Sequence, residues 1–89
     1  MKINHEIQIR IIYYLRVKKY IGTRHTPIEH VCKVLSIYSC KQIKKELKNL
    51  QKKGFLQFKK TFHGTDVYLN IKMLKEIEEI VQIAKEKNQ

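Results

Sequence analysis

No apolar run in this 89-residue chain exceeds five positions, far short of the roughly 18 that a membrane span needs. Charged residues interrupt the opening MKINHEIQIR, unlike a signal peptide. A soluble, intracellular and cytoplasmic protein is therefore expected. Glycine is scarce, at three residues, and none sits in a phosphate-cradling loop. The eight acids are scattered, with no pair set for acid–base work. His63 stands alone, and Ser39 is better placed as a helix cap than as a nucleophile, so no enzyme is expected. The two cysteines, Cys32 and Cys40, form no CxxC, which argues against a structural zinc site. His30 and Cys32, two apart on a helix, face different ways. No metal, cofactor or small-molecule ligand is implied, and there is no repeat, low-complexity tract or linker.

What is present is enough hydrophobic content, 43%, for one globular domain, whose small core would gain from pairing with a second copy. The net charge is +11, and its distribution is uneven. Residues 1–35 carry seven Lys/Arg and two acids. Residues 36–60 carry eight lysines against Glu46. Residues 61–89 carry four lysines and five acids. A surplus concentrated in one segment points to a polyanionic partner more than to general solubility.

The periodicity predicts a first helix capped by Asn4, running to about Tyr20 and stopped by Gly22. Ile7, Ile11, Tyr14 and Leu15 form one stripe. Ile9, Tyr13 and Tyr20 form a second on nearly the opposite side, either a subunit interface or an exposed tyrosine-rich face. A brief strand is expected at 23–25. Thr26-Pro27-Ile28-Glu29 reads as a capping box with proline at the first helical position. It opens a short helix carrying Ile28, Val31, Cys32 and Leu35 on one face.

After a turn at 36–38, Ser39 and Gln42 form a second capping box. The third helix buries Ile43, Leu47 and Leu50, turns Lys41, Lys45, Asn49 and Lys52 the other way, and ends at Gly54. Leu56 and Phe58 alternate with polar residues, as a half-buried strand does. A turn over 60–65 and a return strand with Val67 and Leu69 follow. Asn70 caps a last helix to about Lys87. Its Leu74, Ile77, Val81 and Ala84 have the spacing of a coiled-coil seam, or would pack on their own domain.

The element order, and the pattern I43-x3-L47-x2-L50-x3-G54-F55-L56 in particular, resembles the winged-helix domain. HGTDVYLN is similar to the wing's return strand in the ArsR and MarR groups of transcription regulators. Lys59, Lys60 and His63 stand where MarR proteins carry arginines. The small size and the lysine and isoleucine content look similar to the winged-helix regulators of archaeal viruses and plasmids, which would place the protein in a host cell's cytoplasm. The resemblance implies an α+β fold: a three-helix core, a β-hairpin wing and a C-terminal dimerisation helix. It also implies a homodimer that binds double-stranded DNA and regulates transcription.

In that arrangement the third helix, about residues 39–53, enters the major groove. Tyr38, Ser39, Lys41, Gln42 and Lys45 would lie nearest the bases, with Lys44, Lys48 and Asn49 beside them. Lysines on the flanks meet phosphates, which makes binding salt-dependent. Lys59, Lys60, Thr61, His63 and Thr65 would touch the backbone from the wing, and Arg24 and Thr26 from the start of the second helix. The dimer interface would use Ile9, Tyr13 and Tyr20 with Leu74, Ile77, Val81 and Ala84.

Cys32 and Cys40 sit on consecutive helices. A bridge within the subunit, a bridge between subunits, two reduced thiols, and a redox sensor at Cys40 all stand open. A protein-interaction adaptor is the alternative function, with the 74–84 seam meeting a different chain. RNA binding is a third option and lacks an aromatic stacking platform.

Overall fold

The computed structural model of the protein describes residues 6–87; the cap expected at Asn4 lies outside them. Helix α1 (Glu6–Val17) buries Gln8, Ile11, Ile12, Tyr14 and Leu15. The predicted stripe does turn inward, widened by Ile12 and Gln8. The helix stops three residues earlier than expected. Tyr20 N–H donates to Leu15 O at 2.8 Å and Lys19 N–H to Arg16 O at 3.1 Å, the paired bonds of a Schellman motif. They place Lys19 at φ 65°, where a Cβ is unfavourable. Lys19→Gly is therefore expected to stabilise the fold by about 0.5–1 kcal/mol, readable in urea unfolding.

The chain then runs alongside the sheet, with Leu69 N–H bonded to Tyr20 O at 2.9 Å and Gly22 N–H to Leu69 O at 3.1 Å. Strand β1 (Thr26–Pro27) pairs with β3 (Gly64–Leu69), Thr26 opposite Val67. This corrects the reading of Thr26 as a cap: it is 2% exposed within the sheet. Pro27 takes the N-cap position of α2 (Ile28–Val34) without a side-chain cap bond. The short strand expected at 23–25 forms here instead.

Helix α3 (Cys40–Lys52) follows its sequence signals closely. Gln42 N–H donates to Ser39 Oγ at 3.1 Å, and Ser39 N–H donates to Gln42 Oε1 at 3.2 Å, closing the capping box. Ser39→Ala should cost about 1 kcal/mol, measurable as a shift of the urea midpoint. At the other end Gly54, at φ 86°, closes a second Schellman motif through Phe55 N–H and Leu50 O at 3.0 Å. Strands β2 (Leu56–Thr61) and β3 (Gly64–Leu69) form a hairpin, Thr61 opposite Gly64. The sheet is antiparallel in the order β1-β3-β2. Asn70 Oδ1 accepts from Lys72 N–H at 3.1 Å, capping a 3₁₀ turn (Ile71–Met73) that leads into α4 (Leu74–Lys87).

Among the described residues, then, four α-helices and a three-stranded antiparallel sheet make a small α+β domain. Helix α1 packs against both α3 and α4, which have little direct contact with each other. Between these layers lie Ile11, Ile12, Leu15, Ile43, Leu47, Leu50, Phe55, Leu56, Val67 and Leu69. The Arg16 guanidinium grips Glu78 with two bonds, 2.8 and 3.2 Å, fastening α1 to α4.

This packing corrects the expected dimer seam. Ile77 and Val81 belong to the protein's own core, so these two are not free for a second chain, and Ala84 is 7% exposed. Leu74 remains at the edge, 38% exposed. Tyr20 is likewise half-buried against the core, its ring 6.2 Å from that of Tyr14. Periodicity marks a buried face but does not say what buries it. No helix among the described residues is long and apolar enough to cross a membrane.

Candidate nucleic-acid interface

Helix α3 has two unlike faces. Ile43, Leu47 and Leu50 are fully buried on one side. Lys41, Lys44, Lys45 and Lys48 are exposed on the other, where together they line an open depression of about 520 Å³. None of the four is in an ion pair among the described residues. Four ammonium groups held together without acid neighbours create a local positive potential.

The single acid of this segment, Glu46, is 5% exposed and points to the core side. Its Oε1 accepts from Gln8 Nε2 at 2.7 Å and from Asn49 Nδ2 at 3.1 Å. Lys53 Nζ donates to Gln8 Oε1 at 3.0 Å. These bonds tie the back of α3 to α1 and remove the one carboxylate from the lysine face. Sequence reading missed them. The signals were a glutamine amid the isoleucines of α1 and a lone glutamate among lysines, but their partnership spans 38 residues.

The other expected contact residues are placed unevenly. Ser39 and Gln42 are exposed, but Gln42 commits its side-chain carbonyl to the capping box, which leaves its amide N–H groups as the part able to meet a base edge. Asn49 is half-buried and turned toward Glu46. Thr26 is withdrawn from the set because it is buried in the sheet. Arg24 is exposed, with its guanidinium 5.6 Å from the centre of the Tyr20 ring. Tyr38, in the turn before α3, donates its hydroxyl to Glu6 Oε2 at 2.5 Å. That bond, with burial and the charge of Glu6, holds the Tyr38 hydroxyl above the ordinary tyrosine range. Burial, then the neighbouring Tyr20, does the same for Tyr14.

On the hairpin, Lys59, Lys60 and His63 are exposed, and Thr65 is half-exposed. Thr61 Oγ1 is engaged in the turn, accepting from His63 N–H at 3.2 Å and donating to Gly64 O at 3.4 Å. At the tip stands a residue the sequence reading passed over: Phe62, at 105% exposure. On the strand behind, Asp66 Oδ2 lies 2.6 Å from His25 Nδ1, which keeps that carboxylate against the 23–25 segment.

Cys32 and Cys40 form a disulfide within the chain, Cα–Cα 5.0 Å, linking α2 to the first residue of α3. Among the described residues no group of three or more His, Cys, Asp or Glu is placed to hold a metal ion.

A groove of about 540 Å³ lies on the far side of α1, lined by Ile9, Tyr13, Val17, Leu35 and Ala84, with Glu6 and Arg10 on its rim. Ile9 and Tyr13 of the expected interface set line it, both half-buried, Tyr13 packing partly on the core as Tyr20 does. No protein family, curated protein or solved structure matches the chain.

Proposed function

We propose that this is a winged-helix protein that binds double-stranded DNA and regulates transcription, with α3 entering the major groove and the β2–β3 hairpin as its wing. One observation carries the reading: α3 buries its apolar face and its only acid, and presents Lys41, Lys44, Lys45 and Lys48 together. A solvent-exposed helix has no need to segregate its charge so completely, whereas a polyanion surface does. Short-range order along the chain supports the same reading, because β1 and the hairpin brace the α2–α3 pair from one side.

The protein would act as a two-fold dimer, with two copies of α3 about one helical turn of DNA apart, roughly 34 Å. Since α4 uses its stripe internally, the pairing surface falls to the α1 groove around Ile9, Tyr13 and Val17. A solution mass of one chain at micromolar concentration would remove the dimer.

Titrating the protein against duplex DNA, single-stranded DNA and RNA at two salt concentrations tests the function. Preferred, salt-sensitive binding of the duplex is expected. Equal or absent binding of all three would instead favour the adaptor.

The disulfide favours a second reading, in which DNA binding responds to redox state. Closing an eight-residue separation contributes roughly 2–3 kcal/mol by chain entropy. Reduction is therefore expected to lower Tm by about 10–20 °C and to loosen the start of α3 beside Lys41. Equal duplex affinity with and without reductant would end this reading.

A further inference from the structure

We infer that Phe62 is an apolar wedge that enters the base stack of duplex DNA when the hairpin meets the groove, a role that rests on the DNA-binding reading above. A single exposed apolar side chain is ordinary on a protein surface. Three features set Phe62 apart.

First, its position does not ask for it. It is the first of the two residues, Phe62 and His63, that connect β2 to β3 across the Thr61–Gly64 pair. Neither residue has a positive φ, so the turn tolerates most residue types and nothing in its backbone geometry calls for phenylalanine. At 105% exposure it also packs on nothing in its own domain.

Second, the tip is held in shape. The Thr61 hydroxyl bonds both His63 N–H and Gly64 O, so the ring is presented by a fixed turn and loses little freedom on docking.

Third, its surroundings suit a nucleic acid. Lys59, Lys60 and His63 flank it, and residues 57–65 contain no acid. Asp66, the nearest carboxylate in sequence, is buried beside His25. An aromatic ring alone on a cationic tip cannot reach a protein core, but between two phosphate backbones it can insert at a base step while the lysines hold the strands. Proteins that insert apolar side chains in this way unstack the step and bend the duplex. Pyrimidine–purine steps such as TA yield most easily.

The full-length, oxidised protein can be titrated against a short duplex rich in TA steps, with 2-aminopurine replacing adenine at those steps so that unstacking raises its fluorescence. Wild type is expected to bind and raise the signal. Phe62→Ala should bind about tenfold more weakly, within the range for losing one aromatic–base contact, and should lose the rise; Phe62→Trp should keep both. Because the ring touches nothing in the folded chain, thermal unfolding of Phe62→Ala should match wild type. If Phe62→Ala binds the duplex as tightly as wild type and the fluorescence is equal, the wedge is overturned and duplex binding stands. If wild type does not bind the duplex at all, both readings fall. If Phe62→Ala loses affinity only for single strands or for anionic phospholipid vesicles, the tip serves that ligand instead and the inference is overturned.

Discussion

Lys41→Ala combined with Lys45→Ala is expected to lower affinity for duplex DNA at least about tenfold at moderate salt, with fluorescence anisotropy as the measurement that checks it. The two residues stand one turn apart near the start of α3, where a helix seated in the major groove reaches base edges. A good base contact contributes about 1–3 kcal/mol of discrimination, and each cation lost from a phosphate lowers the salt slope by about 0.9. The two roles are separable by experiment. If Lys41 and Lys45 read bases, the double variant loses more affinity on a preferred site than on random duplex. If they only neutralise phosphate, the loss is equal on both and the salt slope falls by about two. Lys44→Ala with Lys48→Ala should show the second behaviour. Stability is a poor explanation for any loss, because all four side chains are exposed and removing like charges from one face relieves repulsion. Lys72→Ala with Lys75→Ala, on the approach to α4, serves as the control of equal charge. Unchanged binding of the Lys41/Lys45 variant would remove α3 as the reader.

Leu47→Ala is expected to have the largest effect on stability, a loss of about 3–4 kcal/mol in urea unfolding. Leu47 is fully buried in α3, on the face directed at the core. Truncating a buried leucine removes its transfer energy and leaves a cavity, for about 2–5 kcal/mol together. A domain of this length has only about 5–13 kcal/mol in all, so the variant should be partly unfolded near 37 °C. Leu74→Ala, at the margin of the α4 stripe and 38% exposed, should cost under about 1 kcal/mol by contrast. Similar losses for the two would mean that the α4 stripe meets a second chain after all.

Helix α3 was the most legible part of the sequence because every signal there is local: Ser39 with Gln42, the Ile43–Leu47–Leu50 spacing, and Gly54. The hairpin was legible for the same reason. Elsewhere, local signals had two meanings. Thr26-Pro27-Ile28-Glu29 satisfies a capping box, but β3 comes alongside and claims Thr26 opposite Val67. The end of α1 was misplaced because its Schellman position is taken by Lys19 rather than by the expected glycine. The α4 stripe has the same period whether it packs on α1 or on a partner, and only the fold decides. At the site, the lysine face was visible in the charge distribution. The Gln8–Glu46 tie and the engagement of Gln42 and Asn49 depend on distances between side chains, which spacing along the chain does not encode.

Helix α1 packs against α3 and α4 while they barely touch, and this has an electrical consequence. Lys41, Lys44, Lys45 and Lys48 lie together on α3, whereas on α4 Glu76, Glu78, Glu79 and Glu86 are interleaved with Lys75, Lys85 and Lys87 and nearly balanced by them. Positive charge is therefore concentrated on α3 while α4 is close to neutral, so the molecule is electrically lopsided as well as net positive. In the field of any polyanion it would turn before contact, so that α3 leads and α4 trails. Encounters would then be oriented before any specific bond formed, and this orientation would fade as salt shortens the reach of the field.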